Sequence, residues 1–223
     1  MSNLIPAKLD FQKMINLFIV ILLSFVCAVS QAQDMIRLDN PSFEDAPGCC
    51  RPPHGWRSLD FRGHTPPDVH PSGEFNVRRR AFHGSTYLGM VTRDDGTFET
   101  IYQRLSSALQ PNQCYTLSVF LSKSPVYSSG TNSNPQIIDF IEPAILQILA
   151  GNHFYDPELE ILNASTPVDH DEWIEYVFEF IPSEDFSYIF LSAYYPEGTE
   201  YFTNGHILLD YLSDIVPCAD IED

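Results

Sequence analysis

The feature that most constrains the fold is an alternation of apolar and polar residues at a period of two. In Cys114–Lys123, Tyr, Leu, Val and Leu occupy one face, and Thr, Ser, Phe and Ser occupy the other. This period predicts a half-buried β-strand. Other strand-like segments, separated by turn signals, lie at Met35–Glu44, Ser85–Arg93, Thr97–Leu105, Ala144–Ala150, Trp173–Ile181, Phe186–Tyr195 and His206–Ile215.

These segments give about eight strands, and no convincing long amphipathic helix accompanies them. The Asp-Asp-Gly at Asp94–Gly96 is a hairpin turn signal between two of the strands. The sequence therefore predicts the all-β class, as an antiparallel sandwich or jelly roll.

The first 33 residues are interpreted as a secretory signal peptide. Met14–Gln33 contains an apolar run of roughly 15 residues, follows Lys8 and Lys13, and ends in small residues. The run is short for a bilayer-spanning helix, which needs about 20 residues. We therefore expect a secreted or cell-surface protein without a membrane span, with a single domain over residues 34–223. A lipoprotein anchored at Cys27 is disfavoured, because no small residue precedes that cysteine.

Charge is distributed unevenly along the chain. The sequence contains 12 Lys and Arg against 30 Asp and Glu, a formal net charge of −18. After Lys123 it contains nineteen acidic residues and neither Lys nor Arg. Such a surface repels nucleic acid and anionic membranes, so neutral partners, cationic partners or Ca²⁺ are expected instead. A general solubility adaptation accounts for the same charge.

Four cysteines follow the predicted signal peptide, at Cys49, Cys50, Cys114 and Cys218. An even number in an exported chain favours disulfides, and three pairings are possible. Their spacing is not typical of a zinc site, since Cys49 and Cys50 alone are close in sequence.

Two long segments are predicted to be loops. Residues 45–84 are rich in proline and contain four histidines, and residues 124–135 are rich in Ser and Asn. Loops of this length in a compact domain tend to be functional. His54, His64, His70 and His83 lack the spacing of a helical metal site, so a transition metal is not favoured. Arg78–Arg80 is interpreted as solvated, with binding of a carboxylate or sulfate as the alternative.

Short enzyme signatures are missing from the sequence. It contains no Gly-x-Ser-x-Gly, no Walker loop, no dinucleotide glycine fingerprint and no His-Glu-x-x-His. Acidic residues are too abundant for their number to indicate a glycosidase pair. The sequence therefore predicts a protein that is not an enzyme, with a polysaccharide-acting hydrolase as an alternative.

Several motifs resemble the galactose-binding-like jelly rolls, which include carbohydrate-binding modules of families 4, 9 and 22. They are Asn-Pro-Ser-Phe-Glu followed by Gly-Trp (Asn40–Trp56), “HGSTYLGM” (His83–Met90), the pair of strands within Ile101–Ser122, and “ILLDYLSDI” (Ile207–Ile215). The resemblance covers nearly the whole of residues 34–223. The “CCRPPHGW” and “TPPDV” details resemble an exported subgroup from Bacteroidetes-type bacteria of unknown activity.

The resemblance implies a structural Ca²⁺ between the first and last strands. Its ligands are expected to be Glu44 and Asp210, with Asn40 among the additional candidates. Calcium takes six to eight oxygen ligands. Asp210 has apolar neighbours in sequence, where a carboxylate needs a partner. In the alternative interpretation, Glu44 caps a turn and Asp210 faces water.

The resemblance also implies a disulfide between Cys114, which begins a strand, and Cys218, which follows the last strand. Cys49 and Cys50 would then form a vicinal bridge or remain two thiols. The alternative is that one of them pairs with Cys114 or Cys218.

The function that the resemblance implies is non-catalytic binding of an extracellular polysaccharide or other glycan. Sugar rings stack on aromatic faces, for which the candidates are Tyr127, Trp173, Tyr194, Tyr195 and Tyr201. For each of these tyrosines, packing in the core or at its rim is favoured over ligand contact, and Trp56 is assigned to the core. The alternative is a cell-surface structural or protein-interaction module without sugar specificity.

Overall fold

The computed structural model describes residues 35–59, 65–130, 136–155 and 158–219. The predicted signal peptide lies outside the described residues and stays a prediction. Within the described part of the chain, no helix is long and apolar enough to cross a membrane.

The fold is an all-β jelly-roll sandwich, as predicted. The strands are β1 Arg57–Ser58, β2 Asp68–His70, β3 Tyr87–Thr92, β4 Thr100–Leu109, β5 Tyr115–Ser122, β6 Ser128–Ser129, β7 Ile138–Asp139, β8 Glu142–Pro143, β9 Ile145–Gly151, β10 Glu160–Ala164, β11 Ile174–Phe180, β12 Phe186–Tyr194, β13 Gly205–Asp210 and β14 Val216–Pro217. A 3₁₀ turn at Glu74–Asn76 is the one helical element among the described residues.

Two sheets form the sandwich. The five-stranded sheet has the order β1-β4-β12-β9-β10, and the seven-stranded sheet contains β11-β5-β13-β3-β2 together with β14 and β8. Apart from the parallel pair of β8 and β13, neighbouring strands in both sheets are antiparallel.

Seven of the eight predicted strand segments contain a strand. The exception is Met35–Glu44, which forms an isolated bridge from Ile36 to Ile215 and then turns. The chain also turns at Asp94–Gly96 as predicted, but the strands on either side, β3 and β4, belong to different sheets.

The main core lies between the two sheets. Strand β5 contributes Leu117, Val119 and Leu121 to it, while the residues between them face outward. Full burial of each aliphatic side chain of this size contributes about 1.5–3 kcal/mol. Trp56 is buried and its ring centroid lies 5.5 Å from that of Phe43, so its assignment to the core is confirmed.

The disulfide implied by the resemblance is present. Cys114 and Cys218 are bonded, with their Cα atoms 5.4 Å apart. The Cys218 N–H also donates to the Cys114 carbonyl at 3.0 Å, and this extends the pairing of β14 with β5. Cys49 and Cys50 are free thiols.

A second apolar cluster covers the outer face of the seven-stranded sheet. All residues of β3 and β13 are buried. Only one face of each strand contacts the main core, so the other face is buried by a different part of the protein. Tyr87 and Leu208 on the outer face pack with Val77 and Tyr127, which belong to the two segments predicted as loops, and with Phe140, which follows β7. The described parts of these two segments therefore cover residues of the outer face, and the candidate site lies between them and the sheet.

Candidate active site

Buried polar side chains gather on the outer face of the seven-stranded sheet. The period of two along β2 places Val69 toward the core, and Asp68 and His70 on the outer face, next to β3. His206 on β13 lies on the same face. All three polar side chains are at most 3% exposed.

Beside this cluster lies a cavity of about 210 Å³. Its lining includes Asp68, Arg93, Glu99, Phe75 and Tyr127. The aromatic rings of Phe75 and Tyr127 are stacked, with centroids 5.2 Å apart and planes inclined by 5°. The cavity therefore combines charged groups with an aromatic wall.

Asp68 is the acidic group at the centre of this arrangement. One of its carboxylate oxygens accepts the Tyr127 hydroxyl at 2.7 Å, and the other accepts the Cys50 N–H at 2.9 Å. Burial raises the pKa of Asp68 to about 6, although both hydrogen bonds act to lower it. Burial also raises the pKa of the Tyr127 phenol well above its usual value.

Glu99 and Arg93 form a buried ion pair at the cavity wall. The Arg93 guanidinium lies 2.5 Å from one carboxylate oxygen of Glu99, which also accepts the Thr65 hydroxyl at 2.6 Å. The other oxygen accepts the Val91 N–H. Burial raises the pKa of Glu99, and Arg93 opposes that effect. Both oxygens accept hydrogen bonds from donors, which is the pattern of an ionised carboxylate.

His206 is held as a neutral imidazole by its hydrogen bonds. The Ser124 N–H donates to its Nε2 at 2.8 Å, so Nε2 is unprotonated and Nδ1–H donates to the Phe140 carbonyl at 2.6 Å. Burial lowers the pKa of His206 to about 4.

His70 is also fully buried, and burial lowers its pKa to about 4. Its Nε2 has no hydrogen-bond partner among the described residues. Gly89 provides the space for this ring, because a Cβ at that position would lie 2.7 Å from the His70 Cδ2.

The neutral state of His206 predicts a pH dependence of stability. The pKa is about 4 in the folded protein and 6.5 in the unfolded chain, so the unfolded chain takes up a proton first as the pH falls. His206 should therefore contribute about 3 kcal/mol of stability that is present above pH 6.5 and is lost as the pH falls toward 4. The charged and titratable groups that face it are Lys123, His70 and Tyr127.

The measurement compares urea unfolding of the wild type and His206→Gln at pH 7 and pH 4. We expect the wild type to lose about 3 kcal/mol more than the variant over this range. The opposite contributions of Asp68 and Asp210, whose folded-state pKa values are raised, are common to both proteins. Equal losses would show that His206 is not held neutral.

The structure does not bring the five predicted aromatic residues together. Tyr127 lies in the cavity wall, whereas Trp173 packs edge-on against Tyr87 and donates to the Arg80 carbonyl. Tyr194 and Tyr195 pack against one another, and the Tyr195 hydroxyl donates to the carbonyl of Arg93, although neither tyrosine lines the cavity. Tyr201 is 79% exposed.

Asp210, predicted as a calcium ligand, is buried and its carboxylate accepts four hydrogen bonds. The N–H groups of Phe82 and His83 donate to one oxygen at 2.8 and 2.9 Å. The Tyr211 N–H and the Ser42 hydroxyl donate to the other at 2.7 and 3.2 Å. Burial raises the pKa of Asp210 to about 6. The expected need for a partner is therefore met by hydrogen-bond donors.

Glu44 and Asn40 connect the N-terminal segment to the loop before β3. One Glu44 carboxylate oxygen accepts the N–H groups of Ser85 and Thr86 at 2.8 and 3.2 Å. The Asn40 side chain accepts the Glu44 N–H at 2.9 Å and donates to the Glu44 and His54 carbonyls. These hydrogen bonds satisfy both side chains, and calcium binding at them stays a prediction.

Most residues of this site were not predicted from the sequence. Asp68, Arg93 and Glu99 were not among the predicted site residues, because nothing in their local sequence indicates that they become buried. The length of the two loops was the available signal, since described residues of both segments line the cavity.

Comparison with protein families identifies one match for this chain. The model of the HpiC1-like family, described as HpiC1 cyclase, matches residues 34–188. No curated protein sequence matches the chain.

Solved structures with a similar fold include a cyclase from Fischerella sp. TAU. It is 15% identical, with 83% of this chain and 97% of that chain covered and a TM-score of 0.50. The Stig cyclase Fisc from Fischerella sp. TAU, in complex with (3Z)-3-(1-methyl-2-pyrrolidinylidene)-3H-indole, is 15% identical over 82% and 97% of the two chains, with a TM-score of 0.48. The CBM22-1 xylan-binding domain of Paenibacillus barcinonensis Xyn10C is 15% identical over 79% and 90%, with a TM-score of 0.44.

These findings correct one prediction and support another. The prediction that the protein is not an enzyme is wrong, because the family model that matches most of the chain describes a cyclase. The galactose-binding-like jelly roll is confirmed at the level of the fold. The narrower resemblance to a Bacteroidetes-type subgroup is not supported by these comparisons and stays a prediction.

Proposed function

The chain belongs to the HpiC1-like family, and from this premise we propose that it is an enzyme that closes a ring in its substrate. The reaction would take place in the cavity beside Asp68. The observation that carries this proposal is that one cavity is lined by a carboxylate and by a wall of stacked aromatic rings.

The charge of the cavity favours a substrate that carries or develops positive charge. The carboxylate of Glu99 is paired with Arg93, whereas Asp68 has the neutral Tyr127 hydroxyl and a backbone N–H as its hydrogen-bond partners. Among the described residues that line the cavity, Asp68 is therefore the carboxylate without a charged hydrogen-bond partner. The faces of aromatic rings such as Tyr127 also attract cations.

Ring closure benefits from such a cavity in two ways. Enclosure holds the two reacting parts of one molecule close together, which removes much of the entropic cost of their meeting. A fixed carboxylate stabilises positive charge that develops in the transition state, because it needs no reorganisation when the reaction occurs. An intramolecular addition to a double bond forms the new ring bond and leaves the elemental composition of the substrate unchanged.

The proposal is tested with small aromatic ions as probes of the cavity. Isothermal titration should detect binding of benzyltrimethylammonium, and benzoate of similar size should not bind. Preference for benzoate, or no binding of the cation, would overturn the proposed charge of the substrate. Incubation with a panel of unsaturated aromatic amines, followed by a search for products of unchanged mass and altered retention, then identifies the substrate class.

A glycan is the second candidate ligand. It is favoured by the exposure of Tyr201 and Phe202, which are 79% and 58% exposed in the segment between β12 and β13. Aromatic faces in such positions stack on sugar rings. The wild type should then bind to a glycan array, and Tyr201→Ala should not. Absence of binding by the wild type would contradict the proposal of a glycan ligand.

We also propose a structural Ca²⁺ at Glu44, Asp210 and Asn40, and export through the predicted signal peptide. A cation that binds only the folded state, at a free concentration of 100 times its Kd, stabilises the protein by about 2.7 kcal/mol. Removal of the cation by a chelator should therefore lower the Tm. The measurement is thermal melting with and without chelator, together with metal analysis. An unchanged Tm and no bound metal would contradict the calcium proposal.

A further inference from the structure

The turn that follows Gly48 is fixed against β2 on both sides. Gly48 and Val69 exchange two backbone hydrogen bonds, each of 2.9 Å. On the other side of the turn, the Arg51 N–H donates to the Pro67 carbonyl at 3.0 Å. The two residues between these bonds, Cys49 and Cys50, are therefore held at a defined position beside Asp68.

The two cysteine side chains of this turn and Asp68 on β2 bring three potential metal-binding atoms together. The sulfur atoms of Cys49 and Cys50 and a carboxylate oxygen of Asp68 all lie within 4.8 Å of one another. No other group of three His, Cys, Asp or Glu side chains in the described residues meets this condition. Cys50 has a φ of 65°, which is uncommon for a non-glycine residue, and its N–H donates to Asp68.

A second carboxylate lies next to these three groups. The pKa of the Cys49 thiol is raised by the neighbouring Cys50, by burial and by the carboxyl group of Glu74 in the 3₁₀ turn, so Glu74 lies close to this thiol. Cys50 and Asp68 also line the cavity described above. A cation at this position would therefore have two sulfur ligands, one or two carboxylate ligands, and access from the cavity.

The donor set selects the kind of cation. Two thiolates exclude Ca²⁺ and Mg²⁺, which prefer oxygen, and favour soft or borderline ions. Zinc binds Cys sulfur at about 2.3 Å and carboxylate oxygen at about 2.0–2.2 Å, so its ligand atoms are about 3.3–3.8 Å apart in a tetrahedron. Atoms already within 4.8 Å of one another need to move by about 1 Å or less to reach that geometry.

We propose that Cys49, Cys50 and Asp68 form a binding site for a thiophilic divalent cation such as Zn²⁺, at the edge of the cavity. Glu74 or a water molecule supplies the fourth ligand. The two thiol protons pass to the solvent as the metal–sulfur bonds form. The spacing of the cysteines alone does not indicate a zinc site, because Asp68, the third ligand, comes next to them only in the fold.

The test uses the full exported chain, mildly reduced so that Cys49 and Cys50 are thiols, freed of metal, and titrated with Co²⁺. We expect one Co²⁺ per chain, a thiolate-to-cobalt absorption band in the near ultraviolet, and displacement of the band by Zn²⁺. Cys49→Ser/Cys50→Ser should abolish the band, and Asp68→Asn should weaken binding by at least tenfold. Glu179→Gln, which removes an exposed acidic group on β11, is the matched control.

Three results would overturn the site. They are the absence of the band, a band that persists in the double cysteine variant, and a bond between Cys49 and Cys50 that survives mild reduction. Thermal melting of the metal-free variants shows whether a lost band is due to unfolding instead. The inference does not rest on the proposed function, because retained binding of benzyltrimethylammonium without Co²⁺ binding would overturn the metal site alone.

Discussion

Replacement of Arg93 by methionine is expected to lower the free energy of unfolding by about 3–5 kcal/mol. Arg93 lies 2.5 Å from Glu99, whose side chain is 2% exposed. Removal of the guanidinium leaves the Glu99 carboxylate buried without its counter-ion, and this cost is larger than the net contribution of the intact pair. Urea unfolding at pH 7 measures the change.

Two further variants isolate the ion pair as the cause. Arg51→Ala removes the partner of Asp45 in a solvent-exposed pair of 3.6 Å, and it should cost about 1 kcal/mol or less. Arg93→Met/Glu99→Met replaces both charges, and should recover much of the stability lost in the single variant. A loss below about 1 kcal/mol for Arg93→Met would show that Glu99 does not depend on Arg93.

Replacement of Asp68 by asparagine is expected to weaken binding of benzyltrimethylammonium by about 10- to 100-fold, since it removes a buried charge that contributes about 1.5–3 kcal/mol. Once the substrate is known, turnover should fall by about 10²–10³, the effect of removing one electrostatic contact to the transition state. Both measurements are made in metal-free buffer, so that the proposed zinc site plays no part.

Glu179→Gln is again the matched control, because it makes the same change of charge at an exposed position on β11. It should leave binding of the cation unchanged. Thermal melting of Asp68→Asn shows whether the cavity remains folded. Equal affinity of the folded Asp68→Asn protein and the wild type for benzyltrimethylammonium would contradict the role given to Asp68.

The strands could be predicted from the sequence because their apolar residues recur at period two. Residues Tyr115–Ser122 form β5 with the predicted face in the core. The segment Met35–Glu44 looked similar but forms no strand, since the chain turns through positive φ at Asn40 and Phe43. Such a turn depends on its contacts with the rest of the fold. The period of apolar residues in the sequence does not indicate it.

The candidate site could not be predicted in the same way. Asp68 and Glu99 are ordinary acidic residues in sequence, and they become buried because segments far apart in the sequence meet beside β3. The site combines residues from β2, the turn after β3 and the loop after β5, so no short sequence motif contains all of them. This is also why the absence of enzyme motifs led to the wrong prediction that the protein is not an enzyme.

The most direct test of the central claim is a crystal structure of the protein with benzyltrimethylammonium bound. We predict the ligand in the cavity, with its ammonium group facing the Asp68 carboxylate and its ring beside Tyr127. A ligand that instead occupies the exposed surface at Tyr201 and Phe202, with the cavity unoccupied, would contradict the assignment of this cavity as the active site.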